Sequence, residues 1–410
     1  MHACRQLLVR PYLWAGLRLA LFWAGVLLTS DLLLIAQAKP KPVWTVDLKK
    51  YGFRGPRSGL VNDPGSSLQL AFSGDSVAVL FDEKSETVPQ KGTDTKTWLG
   101  WRFVGLFLNA KTGELLGRRF WITDLLWRKQ LFPTASGGFL LLTTRFPRPL
   151  EIPTSSADSE TLYGPHPTTL LLLSPTGEEL KRLELPIHGA PKDEHWEAHL
   201  SPSRRSLLMT HVEGKSCELV LFDADSLTQN LSWKSSETVG CRVGAVSDEQ
   251  MQAYGEKGRH LIGRFGDSLD SVDLPSGHSL FLTNNLIVTF GILPWGTAWI
   301  TKPTGEQVST IHFEIFDPGP SGVRPGVAPP FSSSDGRRVG TVIGQTVGPI
   351  LFQREQHTLY VWQVPENKLV FTTEVKSSWL LAIQAALCDD GSRVAVVGPA
   401  KVLMYDLPVP

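Results

Sequence analysis

The sequence predicts an all-β protein, a β-propeller whose repeat spacing fits seven four-stranded blades. Three observations lead there. Beyond the first 38 residues no long stretch shows a helical apolar period; short apolar runs end instead in Gly, Pro, Asn, Asp or Ser. A two-part strand–turn–strand unit recurs along the rest of the chain. The chain also carries a lone strand at its start and a last unit that stops one strand short.

The first unit is a strand, a tight polar turn and a strongly apolar strand. It reads Leu70-Ala71-Phe72-Ser73-Gly74-Asp75-Ser76-Val77-Ala78-Val79-Leu80 and returns at Ser136–Leu142, Leu200–Met209, Ser332–Val342 and Cys388–Val397, with weaker copies around Ser247-Asp248 and Asn284-Asn285. The second unit is an apolar strand, a turn and a more polar strand. It appears at Gly105–Leu115, Leu170–Leu180, Cys217–Asp225, Trp299–Glu306 and Leu359–Leu369. A Gly, Asn or Asp near each hairpin tip suits a turn that needs positive φ. Together the units make a four-stranded meander. Turn centres near 75, 138, 204, 248, 285, 336 and 391 give six intervals over 316 residues (391 − 75), a mean of about 53, which is the size of a propeller blade. Six blades remain open if the two weak copies form one irregular blade.

The ends predict closure. The last unit runs through Arg393–Val397 and Val402–Leu407, and the strand Val43-Trp44-Thr45-Val46-Asp47-Leu48 is free to complete it, leaving no open edge between first and last blades. Leu359-Tyr360-Val361-Trp362-Gln363-Val364 followed by Glu366-Asn367-Lys368, and Asp390-Gly391 before Val394-Ala395-Val396, resemble strands of WD-repeat and YVTN-type bacterial β-propellers. The resemblance covers most of residues 43–410, without the Gly-His and Trp-Asp dipeptides of WD repeats. It implies an architecture and a bias toward binding; fold does not fix function.

Residues 1–38 read as a secretory signal: Arg5, Arg10 and Arg18 precede the apolar run Leu19–Leu28, and Ala36-Gln37-Ala38 offers a small-x-small cleavage site. The competing reading is a retained anchor over residues 19–36, against which Asp31 stands within the run. Either reading exports residues 39–410, to the periplasm or beyond, with attachment to the inner membrane if the anchor stays. Charge is balanced, 40 basic against 40 acidic residues. Removing three Arg and one Asp with the signal leaves 37 against 39, so nothing steers the chain toward nucleic acid. Cys217 and Cys241 are expected to pair in an oxidising compartment, two buried thiols being the alternative, and Cys388 is expected in the core.

The best chemical lead is His195-Trp196-Glu197-Ala198-His199. As a strand it places His195, Glu197 and His199 on one face, a candidate divalent-metal set with His188 and His211 as helpers. Same-face neighbours on one strand stand about 7 Å apart, which is awkward for a single ion; the bland alternative is a polar wall with Trp196 on the packing side. GxSxG, P-loop, GxGxxG and HExxH patterns are absent, and the acidic turns Asp389-Asp390, Asp223/Asp225 and Asp267/Asp270/Asp273 lack EF-hand spacing. No cofactor is expected. Of the 13 Trp, Trp14 and Trp23 fall in the signal segment; the rest are expected to fill wedges between blades rather than line a groove. Two long irregular loops, Pro147–Pro167 and Asp317–Pro330, stand out, either as carriers of function or as disordered decoration. The expected function is a non-enzymatic scaffold, a monomer presenting rim loops to a protein or peptide. The alternative is a hydrolase or lyase acting on saccharides at the channel.

Overall fold

The computed structural model describes residues 40–53, 68–89, 96–123, 129–144, 168–185, 194–213, 216–235, 241–255, 259–291, 296–313, 326–347, 354–376, 383–398 and 400–408. The expected signal segment 1–38, the loop 147–167 and much of the loop 317–330 lie outside these residues. The described chain forms seven antiparallel sheets in sequence order. Blade 1 comprises Leu68–Ser73, Ser76–Pro89, Lys96–Asn109 and Leu115–Thr123. Blade 2 comprises Gln130–Pro133, Phe139–Thr144, Thr168–Leu173 and Glu179–Leu185; blade 3, Glu194–Leu200, Ser206–Glu213, Ser216–Asp223 and Gln229–Ser235. Blade 4 is the slightest, with Val243–Val246, Gln250–Tyr254, His260–Arg264 and Asp270–Val272. Blade 5 comprises Gly277–Phe281, Ile287–Gly291, Thr297–Thr301 and Gln307–His312. Blade 6 has Arg338–Val347, Arg354–Gln363 and Lys368–Val375 behind an inner strand split into Gly326–Val327 and Phe331–Ser332. Pro329 and Pro330 stand in that split and have no N–H to give a ladder. The two weak repeat copies are therefore two blades, and the six-blade alternative is set aside; the short strands of blade 4 explain its faint signal.

The first strands of neighbouring blades touch around the ring, so they are the inner strands. The fourth strands face water: Glu179–Leu185 and Gln229–Ser235 are exposed along most of their length. Each sheet thus stands on edge to the axis, with both faces against other blades. That is why Thr168–Leu173 is buried at every position and reads as an unbroken apolar run rather than an alternating one. The described core accordingly divides into seven clusters, one per blade interface. Trp362 shows how aromatics fill these wedges, lying 5.8 Å from Phe290 and 5.5 Å from Phe313 of blade 5.

Blade 7 contains Gln384–Leu387, Arg393–Gly398 and Lys401–Asp406, and its fourth strand is Trp44–Asp47, antiparallel to Lys401–Asp406 with Trp44 opposite Met404. The chain then turns through a short 3-10 helix, Leu48–Tyr51, whose N-cap Asp47 accepts from Lys49 N. Leu48 and Phe53, both buried, enter the cluster shared by blades 7 and 1, where Phe53 meets Phe81 edge-on at 5.5 Å. Trp44 adds a second tie by donating from Nε1 to Ala110 O of blade 1 at 2.9 Å. Gly113, at φ 75°, lies so close beneath that indole that a Cβ there would sit 2.8 Å from it.

The closing strand is therefore held by both blades it joins. Trp44→Ala is expected to destabilise the protein by about 3 kcal/mol, read as a lower urea midpoint. A midpoint unchanged from wild type would mean the ring does not depend on this strand.

Candidate functional site

Antiparallel alternation gives the ring two unlike ends. First-to-second and third-to-fourth connections leave from one end, and in the described blades all are tight turns, such as 134–138 and 174–178. Second-to-third connections and those between blades leave from the other. All the long ones are there, including 54–67, 145–167 and 314–325.

At the tight end one chemistry recurs. Thr134, Ser201, Ser247, Ser333 and Cys388 each use the side chain to accept a backbone N–H that closes the turn, from Gly138, Ser206, Gln250, Arg338 and Arg393, at 2.9–3.1 Å. Neighbouring turns are then bonded together. Ser73 Oγ donates to Thr134 O, Ser203 Oγ to Asp248, Thr283 Oγ1 to Ser334 O and Ser334 Oγ to Asp389 O. One bond crosses the ring instead of following it: Arg204 of blade 3 pairs with Asp389 of blade 7. Arg204 has φ 65° at a turn position where other blades place Gly137, Asn285, Gly336 and Gly391. A buried arginine in that left-handed conformation is held there by its side-chain bond. The pair is a clasp that ties the turns of blades 3 and 7 together across the tight end of the ring.

Just inside the clasp lies a chamber of about 550 Å³. Its walls come from the inner strands of blades 2 to 6, where Phe132, Leu200, Leu280, Phe281 and Phe331 supply apolar surface. Tyr254, His278, Ser279 and Ser332 carry polar side chains at its border, His199 also lines it, and no Asp, Glu, Lys or Arg is among the described residues lining it.

The expected metal face meets this geometry only in part. Glu197 and His199 do share a face of strand Glu194–Leu200, but that face turns toward blade 4: His199 pairs with Leu208, which packs with Val243 and Met251. Sheets set on edge offer the channel a strand's edge and offer its faces to the neighbouring blades. The side chain of His195 and the whole of His188 lie outside the described residues. His211 is on the other face, stacked on Trp196 at 4.4 Å. Among the described residues no three His, Cys, Asp or Glu side chains gather as metal ligands. The edge that the inner strands do present is capped between blades, Ala198 N donating to Gln130 Oε1 at 3.1 Å and Gln69 Nε2 to Lys129 O.

His199 Nε2 is buried without a hydrogen-bond partner, and burial lowers the pKa of His199, with Glu197 opposing. Burial also lowers His278 and His260, Asp273 opposing at His260. Cys388 is buried; burial and then the Asp390 contact push its thiol up to about 11, so it is an unreactive turn residue. Cys217 and Cys241 form a disulfide with a Cα–Cα distance of 5.6 Å. It ties blade 3 to the entry of blade 4 at the loop-bearing end, and a closed loop of this size contributes about 3 kcal/mol.

Neither the clasp nor the chamber was legible in the sequence. The one local signal was Arg204, standing in the turn repeat where other copies carry glycine or asparagine.

These features define a seven-bladed β-propeller. No protein-family model and no curated protein matches the chain. Among solved structures it is similar to a chain of the mitotic checkpoint complex at 13% identity and TM-score 0.46, covering 91% of this chain and 94% of that one. It is also similar to BamB from Moraxella catarrhalis, at 11% identity and TM-score 0.42 with 90% and 99% covered. The C-terminal WD40 domain of Sif2 matches at 12% identity and TM-score 0.37, again with 90% and 99% covered. These likenesses are of fold alone.

Two measurements follow from this geometry. In a double-mutant cycle, Arg204→Met and Asp389→Ala are expected to couple by about 1–2 kcal/mol; purely additive losses would show that the clasp holds nothing. The histidines give a pH dependence. Their folded pKa values lie below the 6.5 of the free group, so the unfolded chain binds more protons on acidification. Their contribution is complete above that pH and is lost as pH falls through the folded values. The urea midpoint should drop on going from about pH 7 to about pH 5, and His199→Leu should make the drop shallower; an equally steep drop in the variant would count against a neutral buried His199.

Proposed function

We propose that this propeller is an extracytoplasmic, non-enzymatic scaffold that presents the connections of one rim to a protein or peptide partner. The observation that carries the reading is the asymmetry of the ring: one end is tied turn to turn, and every long connection leaves from the other. Blade 1 carries this furthest. Its second and third strands are 14 residues each, and their pairing runs from Phe81 to Pro89, past the last inner-strand partner at Leu68. Eight residues at strand rise extend the hairpin about 25 Å beyond that strand. A rigid ring with long connections on one side is a common arrangement for binding. The Cys217–Cys241 disulfide and the expected signal segment support placing it in an oxidising, exported compartment. Most glycoside hydrolases use a pair of carboxyl groups, whereas no Asp or Glu is among the described residues of the chamber wall.

The test replaces residues 83–102 with an Asn-Gly turn and, separately, shortens 314–325. Partners cross-linked to the full chain in exported fractions are expected to fall at least about tenfold in one variant, with the melting temperature preserved. Equal capture by both variants, or turnover of saccharides by the wild type, would overturn the proposal.

A further inference from the structure

We propose that the chamber inside the clasped end is a binding site for a small, uncharged, mainly apolar molecule. The reasoning begins with its walls. Phe132, Phe281 and Phe331, with Pro329 and Pro330, come from three different blades to border one space. Its volume of about 550 Å³ falls among those of small-molecule pockets. Water has few partners against such surfaces. A charged ligand would find no opposite charge among the described wall residues, and desolvating it there would be unfavourable. A polyhydroxylated ligand would leave hydroxyls facing rings. An apolar body with one or two polar atoms fits both parts of the wall, because His278, Ser279 and Ser332 line it beside the rings.

The Arg204–Asp389 pair lies next to this space. Leu200 and Pro202 line the chamber and lead into the turn that carries Arg204, which the ion pair ties to the Asp389 turn of blade 7. His199 fits this role better than that of a metal ligand. His199 borders the chamber with Nε2 buried and without a hydrogen-bond partner, and burial lowers its pKa.

The probe for the test is Nile red, an uncharged apolar fluorophore, titrated into the full chain. Saturable, blue-shifted emission at one molecule per chain is expected. His278→Trp places an indole in the chamber and should weaken binding by at least about tenfold, with the wild-type melting transition retained. Ser332→Phe, from a different blade, fills the same space and serves where His278→Trp does not fold. The variant with residues 83–102 replaced should bind Nile red as the wild type does, which separates this site from the rim. No saturable binding to the wild type, or binding that neither filling variant weakens, would overturn the proposal and leave a chamber of water.

Discussion

The ring depends on the pairing of Trp44–Asp47 with Lys401–Asp406. Every other blade is one continuous stretch of chain, its strands following one another in sequence order. Blade 7 alone is assembled from both ends of the sequence. Without its fourth strand, Lys401–Asp406 would be an exposed edge. The cluster between blades 7 and 1 would also lose Leu48 and Phe53. Since the core is a circle of wedges and not one central mass, opening any wedge exposes two apolar faces at once. The strand, the 3-10 helix behind it and the Trp44 bond to Ala110 act together at that point.

Closure makes a rigid ring, and the rest of the molecule uses its two ends differently. At one, hydroxyl-closed turns bond to their neighbours, and Arg204 reaches across to Asp389 between residues 185 positions apart in sequence. At the other, the chain spends its length on connections, and the Cys217–Cys241 disulfide fastens blade 3 to blade 4 where those connections begin. An end bonded turn to turn, a chamber beside it with no charged side chain among its described wall residues, and a rim of long connections form a coherent binding architecture. Blade 4 is the slightest part of the circle. Its interface with blade 5 rests on Ala245, Ile262, Leu274, Phe281 and Ile287, and it also houses the buried Gln252–His260 contact.

Much of this was legible in the sequence because turns are local. The seven centres near 75, 138, 204, 248, 285, 336 and 391 all fall in or beside the turn between first and second strands of a blade, since a tight turn needs Gly, Asn, Ser or Asp whatever surrounds it. The closing strand was legible for a related reason: an odd strand at each end of a repeat has one economical partner. The site was not legible. Period-two alternation correctly put Glu197 and His199 on one face, but it says nothing of what that face meets. In a sheet set on edge it meets the next blade. The clasp and chamber arise from residues far apart in sequence and brought together only by closure, so no local pattern announces them beyond the arginine at a glycine-like turn position.

Hydrogen exchange tests the closing pair most directly. The account predicts that amides in Trp44–Asp47 exchange as slowly as those in Lys401–Asp406, and that Trp44→Ala speeds exchange in both strands together. Fast exchange in Trp44–Asp47 beside full protection in Lys401–Asp406 would show a ring that stands without its closing strand, and would contradict the account.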